Sequence, residues 1–343
     1  MARTHVWLLD RGGPGSPEAV RPWLEQVARD PASSPLPGFL VFLLAWVWSH
    51  WAARRVVPVC RRLTHTSPQL TDAQEQARLL QKVLGKRYEV HAVFRTGGSG
   101  PEAARAALQP SDQVVLLPLH PQRHPVAHRA ALDDAWKVLT GAGPAATAVN
   151  AWGLDTALHD LLAQRIRAEL IALQKTGPVG VVLVSPAPPL SGTAPADAYL
   201  AELAETGARL RQTMGMGGPM VQGWLTHLAS GEAASPTVSE ALRLVADKGA
   251  RSAVVVPHGC TTRWPELALL LEADLATLSD KVGLVTVRTI APLAPSHDFA
   301  RLLAPLVRHA EREAGWKVPE DGVRKAIVTE LKSAGHPTIP LRS

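Results

Sequence analysis

The sequence predicts an α/β protein made of two similar doubly wound domains, each with a four-stranded parallel sheet, set across a cleft. Three features of the chain point there. Eight short β-prone apolar runs alternate with segments of helical period, the pattern of βαβ units and parallel sheets. Most of the runs are continuously apolar rather than alternating, which suits strands covered on both faces. The third and seventh runs also end alike, in LLPLHPQRHP and VVVPHGCTTRWPE, each breaking into Pro, His and a polar loop. Ligands of open α/β sheets sit outside such strand ends.

In chain order the strand-like runs are residues 6–9, 88–94, 114–119 and 146–149, then 179–184, 219–224, 253–256 and 282–290. Helical period occupies 72–84, 102–108, 157–175, 199–213, 237–248 and 265–278. The helix at 157–175 and the break Thr176-Gly177-Pro178 mark the passage between the two sets. Domains are therefore expected over 1–155 and 156–315, with a tail over 316–343 that forms one short helix. A chain of 343 residues exceeds the size at which one core usually keeps growing, which agrees with two domains.

The stretch 36–55, LPGFLVFLLAWVWSHWAARR, interrupts this rhythm. It is apolar from Phe39 to Trp48, and Trp46, Trp48 and Trp51 lead into Arg54 and Arg55. Spanning a bilayer takes roughly 20 apolar residues, so the stretch is too short to cross. Trp beside Arg suits a headgroup boundary, which makes it a lip in peripheral contact with a membrane. A buried amphipathic helix is the other reading.

Composition narrows the function. With 46% apolar and 19% charged residues, wholesale disorder is excluded. The net charge of +6 comes from scattered Lys and Arg without a basic block, so no nucleic-acid partner is expected; an anionic small ligand or acidic lipid fits as well. Two cysteines, Cys60 and Cys260, cannot supply an iron–sulfur cluster or an all-cysteine zinc site, and no tightly bound cofactor is expected. They point to a reducing, cytoplasmic setting, as does an N-terminus without a signal-like apolar core. The GGPG at 12–15 lacks the Gly-x-Gly-x-x-Gly spacing of a nucleotide cradle.

Taken in order, the punctuation of the chain resembles the ferrochelatase family, enzymes that insert ferrous iron into a porphyrin to complete haem. LLDRGGPGSPEAVRPWLEQVARDP at 8–31 is similar to that family's first strand and loop, and TSPQL at 66–70 to its Gly-Ser-Pro-Leu. FRTGGSGPEAARAAL at 94–108 is similar to its Met-Arg-Tyr-Gly segment, and LLPLHPQRHP at 116–125 to its Leu-Pro-Leu-Tyr-Pro-Gln-Tyr. The resemblance implies two four-stranded parallel domains, a porphyrin or haem between them, Fe²⁺ as substrate, and a lip at the cleft mouth.

Carried over residue by residue, the family's site is only partly present. Its carboxylate falls on Glu266, but the His two positions earlier is Trp264 and the Ser-Ala-His motif is Ser185-Pro186-Ala187, so the principal catalytic imidazole is missing. The acid four positions beyond Glu266 is Leu270, with Glu272 and Asp274 nearby. Further replacements are Asp10 for Asn, Thr96 for Tyr, His120 and Arg123 for Tyr, and His124 for Ser. A neutral imidazole can take a pyrrole proton or hold iron, and a carboxylate opposite can guide the ion. The resemblance thus makes Glu266 and His258 the catalytic candidates and Glu266, His120 and His124 the metal-holding ones. Asp10, Arg11, Arg95, His120, Arg123, Ser185 and Trp264 become the porphyrin-contacting set, with Arg11 and Arg95 suited to propionates. Each has a structural alternative: the histidines bond their own loops, Glu266 caps a helix dipole after Pro265, and the arginines are surface residues. Two functions follow, a chelatase with a relocated imidazole, or a catalytically degenerate relative acting as porphyrin or haem carrier or regulatory partner.

Overall fold

The computed structural model describes residues 3–33, 38–63, 67–140, 143–188, 193–225, 227–229, 234–271 and 275–316. The expected tail helix, Glu272 and Asp274 lie outside the described residues. The first half contains β1 (Thr4–Gly12), α1 (Val20–Arg29), α2 (Gly38–Arg62), α3 (Pro68–Leu84), β2 (Tyr88–Thr96), α4 (Pro101–Ala106), β3 (Gln113–Pro118), α5 (Ala131–Leu139) and β4 (Ala145–Ala148). The helix α6 (Thr156–Leu173) leads to β5 (Val179–Pro186), α7 (Ala194–Met214), β6 (Met220–Leu225), α8 (Val238–Asp247), β7 (Ser252–Pro257), α9 (Pro265–Leu271), α10 (Leu275–Val282), β8 (Thr286–Thr289) and α11 (His297–Glu313).

The strands form two four-stranded sheets, ordered β2-β1-β3-β4 and β6-β5-β7-β8, parallel throughout. The doubly wound α/β class read from the sequence is therefore the observed one. Side chains alternate across each strand. In β1, Val6 and Leu8 face a core shared with α3, α6 and α11, while Trp7 and Leu9 pack on the opposite face with Leu116 and Ala135. In β5 and β7, Val181, Leu183, Val254 and Val256 join that same shared core, and Val182, Val184 and Val255 pack under α8 and Leu267 of α9. One apolar core thus runs between the sheets and fixes them against each other.

Helices α5 and α11 lie outside the helical segments read from the sequence, and two further elements have other bounds. The expected helix over 265–278 is two helices, α9 and α10, and the strand expected from 282 begins at Thr286 because Gly283 at φ +75° ends α10 first. The helix α11 runs back to the first sheet, where the Glu311 carboxylate accepts from Tyr88 Oη at 2.8 Å and Thr4 Oγ1 at 3.1 Å.

The lip stretch lies in α2, and its two faces differ. Ala45, Ala52, Val56 and Cys60 are buried, the last three packing with Trp23 and Leu24 of α1, while Leu44, Trp46, Val47 and Trp51 are about half exposed. An apolar pocket of 510 Å³, lined by Ala28, Val41, Leu44, Trp48 and Trp51 among others, opens beside it. Among the described residues, no helix is long and apolar enough to cross a membrane.

Candidate functional site

The carboxyl ends of β1, β3, β5 and β7 converge, and their loops bond across the gap. At the end of β1, Asp10 accepts from Thr262 Oγ1 at 2.9 Å across the cleft, from Gln69 Nε2 at 2.7 Å and from the Arg11 N–H at 2.7 Å. Burial pushes its carboxyl up from 3.8 to about 6, against the opposing pull of these donors and of the Arg11 charge. Thr261 Oγ1 donates to the Leu119 carbonyl at 2.8 Å, and the Arg263 guanidinium forks onto Asp72 of α3, with Nη2 2.6 Å from Oδ1. Arg123 pairs with Glu202 of α7.

Between these bonds sits a packed cluster of rings. The His120 and His124 centroids are 5.0 Å apart; Tyr199 of α7 lies 5.6 and 4.9 Å from them, and Trp264 lies 5.9 and 5.6 Å from them. The Arg11 guanidinium covers Trp264 at 4.5 Å, a cation–π contact at the rim of the cluster. His120, His124, Tyr199 and Trp264 are all buried.

Hydrogen bonding fixes what each imidazole can offer. His120 Nδ1 lies 3.0 Å from the Gln122 carbonyl, which only an N–H can satisfy, so the proton is on Nδ1 and Nε2 carries a lone pair with no partner. His124 is the reverse. Its Nδ1 accepts from the Val126 and Ala127 N–H groups at 3.2 Å each, capping the π-helical turn Pro125–Ala130, so its Nε2 carries the proton, near the Ala187 carbonyl. His258 Nε2 bonds Thr206 Oγ1 at 3.0 Å and its Nδ1 is buried without a partner. Burial drives His120 and His258 down to about 3 and His124 well below its usual range, so all three are neutral at pH 7. The nearby carbonyl of Ala187 is the one influence that favours a charged His124. An imidazole thus stands beside the very position where the resemblance places the missing one.

The end of β5 is equally tight. Ser185 Oγ is buried without a partner, and a Cβ at position 259 would lie 2.8 Å from it and 2.9 Å from Tyr199 Oη, so glycine alone fits there. Tyr199 Oη donates to the Pro186 carbonyl at 3.1 Å. Cys260 is buried and its thiol is held protonated by burial, with Asp10 and Glu266 adding to the effect.

The structure therefore gathers Asp10, Arg11, His120, His124, Ser185 and Trp264, and links His258 to His120 through Gln122 and Thr206. Glu266 sits in the first turn of α9, where Oε1 accepts from the Leu228 N–H at 3.4 Å and Oε2 is buried without a partner. Among the described residues, Glu266 and the cleft histidines are not brought within reach of one ion. Arg95 lies apart, nearly buried between Asp30 and Asp134, and Arg123 is more than half exposed beside Glu202. Sequence reading missed Tyr199, Gln69 and Thr206, which reach the cleft from helices. Tyr199 alone carried a signal, as one of just two tyrosines in the chain.

The ferrochelatase family model matches residues 3–311. This chain belongs to the ferrochelatase family. Relatives in that family include the ferrochelatase of Cyanothece sp., 27% identical over 325 residues that cover 90% of this chain and 83% of the relative. That of Nostoc sp. is 25% identical over 340 residues, covering 96% and 87%. The ferrochelatase of Phenylobacterium zucineum is 32% identical over a shorter match of 169 residues, 46% of this chain and 49% of the relative. Among solved structures, CbiX, described as the terminal enzyme for biosynthesis of sirohaem in denitrifying bacteria, aligns with a TM-score of 0.47 at 14% identity over 90% of this chain and 99% of its own. The family match runs through both sheets.

Proposed function

We propose that this ferrochelatase-family chain binds a tetrapyrrole in the cleft between its sheets and inserts a divalent metal, Fe²⁺, into it. The observation that carries the reading is the set of buried, unpartnered polar atoms at the carboxyl ends of β3, β5 and β7: His120 Nε2, Ser185 Oγ and His258 Nδ1, with Glu266 Oε2 on the helix that follows β7. Native interiors rarely leave such atoms unsatisfied without a ligand, ion or water to meet them. Metal insertion forms metal–nitrogen bonds while two pyrrole N–H protons leave, so the site must hold a cation and accept protons. His120 and His258, neutral at pH 7, offer lone pairs to the metal or the pyrrole protons. Asp10, near 6, is the cleft group closest to the working pH as a proton acceptor. Glu266 supplies the negative charge that guides the ion. Separate placement of carboxylate and imidazoles suits a flat macrocycle approached from both faces, and the cross-cleft bonds must part to admit it.

A second reading, a porphyrin or haem carrier or regulatory partner, is favoured by Ala187 and Trp264, which stand where the family resemblance places imidazoles. In that reading Trp264 under Arg11 is a stacking platform and the chain turns nothing over. The test is to mix the protein with free-base porphyrin and Fe²⁺ or Zn²⁺ without oxygen and follow the absorbance change of metallation. Turnover abolished in Glu266→Ala supports the enzyme; tight binding without turnover supports the carrier; no binding defeats both. The half-exposed Trp46 and Trp51 with Arg55, whose guanidinium covers Trp51 at 4.0 Å, support peripheral membrane contact. If so, replacing both tryptophans by Ser abolishes flotation with acidic vesicles, and unchanged flotation overturns that part.

A further inference from the structure

The first sheet carries a second cluster of metal-ligating side chains at its other end. His5 lies near the start of β1 and Glu89 and His91 near the start of β2; pairing of His5 with Glu89 and of Trp7 with His91 puts all three on one face of the sheet. Asp10 lies five strand positions beyond His5, about 17 Å at the usual rise, so this cluster is distinct from the cleft.

Its geometry is that of three ligands to one ion. His5 Nδ1 lies 3.3 Å from His91 Nε2 and 3.7 Å from Glu89 Oε2, and His91 Nε2 lies 4.0 Å from the same carboxylate oxygen. Metal–nitrogen and metal–oxygen bonds of about 2.0–2.2 Å in a tetrahedron set neighbouring ligand atoms roughly 3.3–3.6 Å apart, so this triangle needs movements of a few tenths of an ångström. The imidazole planes are 12° from parallel with centroids 5.5 Å apart.

The surrounding groups prepare these ligands. His5 Nε2 lies 3.3 Å from Asp112 Oδ2, and the Asp112 carboxylate is itself fixed by the N–H groups of Arg3 at 3.2 Å and Gln109 at 2.8 Å. A proton held on Nε2 by Asp112 leaves the Nδ1 lone pair facing His91 and Glu89, the carboxylate–histidine arrangement that orients and strengthens a metal ligand. Glu89 Oε1 is paired with Arg3, which leaves Oε2 for the ion. His5 and Asp112 are buried, whereas His91 and Glu89 are partly open to solvent, so an ion and a completing water have access.

We propose that His5, Glu89 and His91 form a binding site for a borderline divalent transition ion of the Zn²⁺ type, with water as fourth ligand and Asp112 as the positioning carboxylate. Two nitrogens and one carboxylate oxygen match that ion class better than Mg²⁺ or Ca²⁺, which take mainly oxygen. The ion joins the starts of β1 and β2 and, through Asp112, the lead into β3.

The test uses the full-length protein stripped of metal. Zn²⁺ titrated in competition with a chromophoric chelator is expected to bind at one equivalent to this site, and Co²⁺ to give the visible bands of a four-coordinate N/O site. His91→Ala, at a partly exposed position that the fold does not depend on, is expected to weaken Zn²⁺ at least about tenfold and to remove the Co²⁺ bands, and Glu89→Gln to do the same. Asp112→Asn is expected to weaken binding about 10–100-fold at unchanged stoichiometry, the usual effect of removing an outer carboxylate. No binding at excess Zn²⁺ overturns the proposal. So does an equivalent that survives His91→Ala but is lost in His120→Ala, which would put the ion in the cleft.

Discussion

At the level of single residues, the cleft is governed by groups whose charged forms burial disfavours. Asp10, raised from 3.8 to about 6, favours folding while protonated; that contribution is complete below its unfolded value and lost as pH rises through about 6. Asp10→Asn removes the titration. Its stability relative to the wild type should therefore improve by about 1–3 kcal/mol between pH 4 and pH 7.5, read from urea midpoints. The histidines act in the opposite sense. Burial lowers His120 and His258 to about 3 and His128 to about 4, so their contribution is complete above 6.5 and lost as pH falls below it. Each should add about 1.4 kcal/mol per pH unit to the acid loss. His258→Gln should accordingly be less destabilising at pH 5 than at pH 8, by about 2 kcal/mol; an equal penalty at both would show that His258 titrates normally. The loop residues of this network were legible because Pro-His breaks after apolar runs mark strand ends. Gln69, Thr206 and Tyr199 were not, since which face of a helix meets the cleft depends on packing that no local pattern encodes.

At the level of elements, the strands were the most legible part because burial on both faces leaves a continuous apolar run. Helices with broken patterns were not: α11 contains Pro305, which removes a backbone donor and reads as a stop, and α5 follows directly on a Pro- and His-rich turn. Helix α8 shows the opposite case, in which local chemistry states the start. Thr237 Oγ1 accepts from the Glu240 N–H at 3.3 Å and the Glu240 carboxylate accepts from the Thr237 N–H at 2.7 Å, a reciprocal capping box. Thr237→Ala should cost about 1 kcal/mol in urea unfolding, since Val238, Ala241, Leu242 and Val245 still hold the helix to the sheet. A loss several times larger would mean that the cap also supports the neighbouring β6, whose Trp224 bridges Thr237. On α2 the same separation of roles appears by face, with Ala52 and Val56 holding it to α1 while Trp46 and Trp51 stay outside.

For the whole molecule, the decisive relation is between a shared core that fixes the sheets and a set of polar bonds that shuts the cleft. Helices α6 and α11 contribute to the core under both sheets, and the Glu311 carboxylate fastens α11 to Thr4 and Tyr88, so apolar packing and these two hydrogen bonds hold the sheets together there. The cleft itself is crossed by Thr262–Asp10, Thr261–Leu119, Arg263–Asp72 and Arg123–Glu202. The rings of His120, Tyr199 and Trp264 are buried beneath these bonds, so on the proposed reading a macrocycle reaches the cleft histidines only after the bonds part. Apparent affinity is then the intrinsic affinity reduced by the open fraction. Replacing Arg263 alone would strip the buried Asp72 carboxylate of its countercharge and leave it only the Arg263 N–H at 2.9 Å, so both side chains are changed together. In Asp72→Asn with Arg263→Gln, loosening the closed form by 1–2 kcal/mol should raise the open fraction about 5–30-fold. Porphyrin quenching of tryptophan fluorescence should then show tighter apparent binding, with the gain in the association rate. A tighter complex through slower dissociation alone would mean that opening is not limiting, and weaker binding would place Arg263 and Asp72 in contact with the ring.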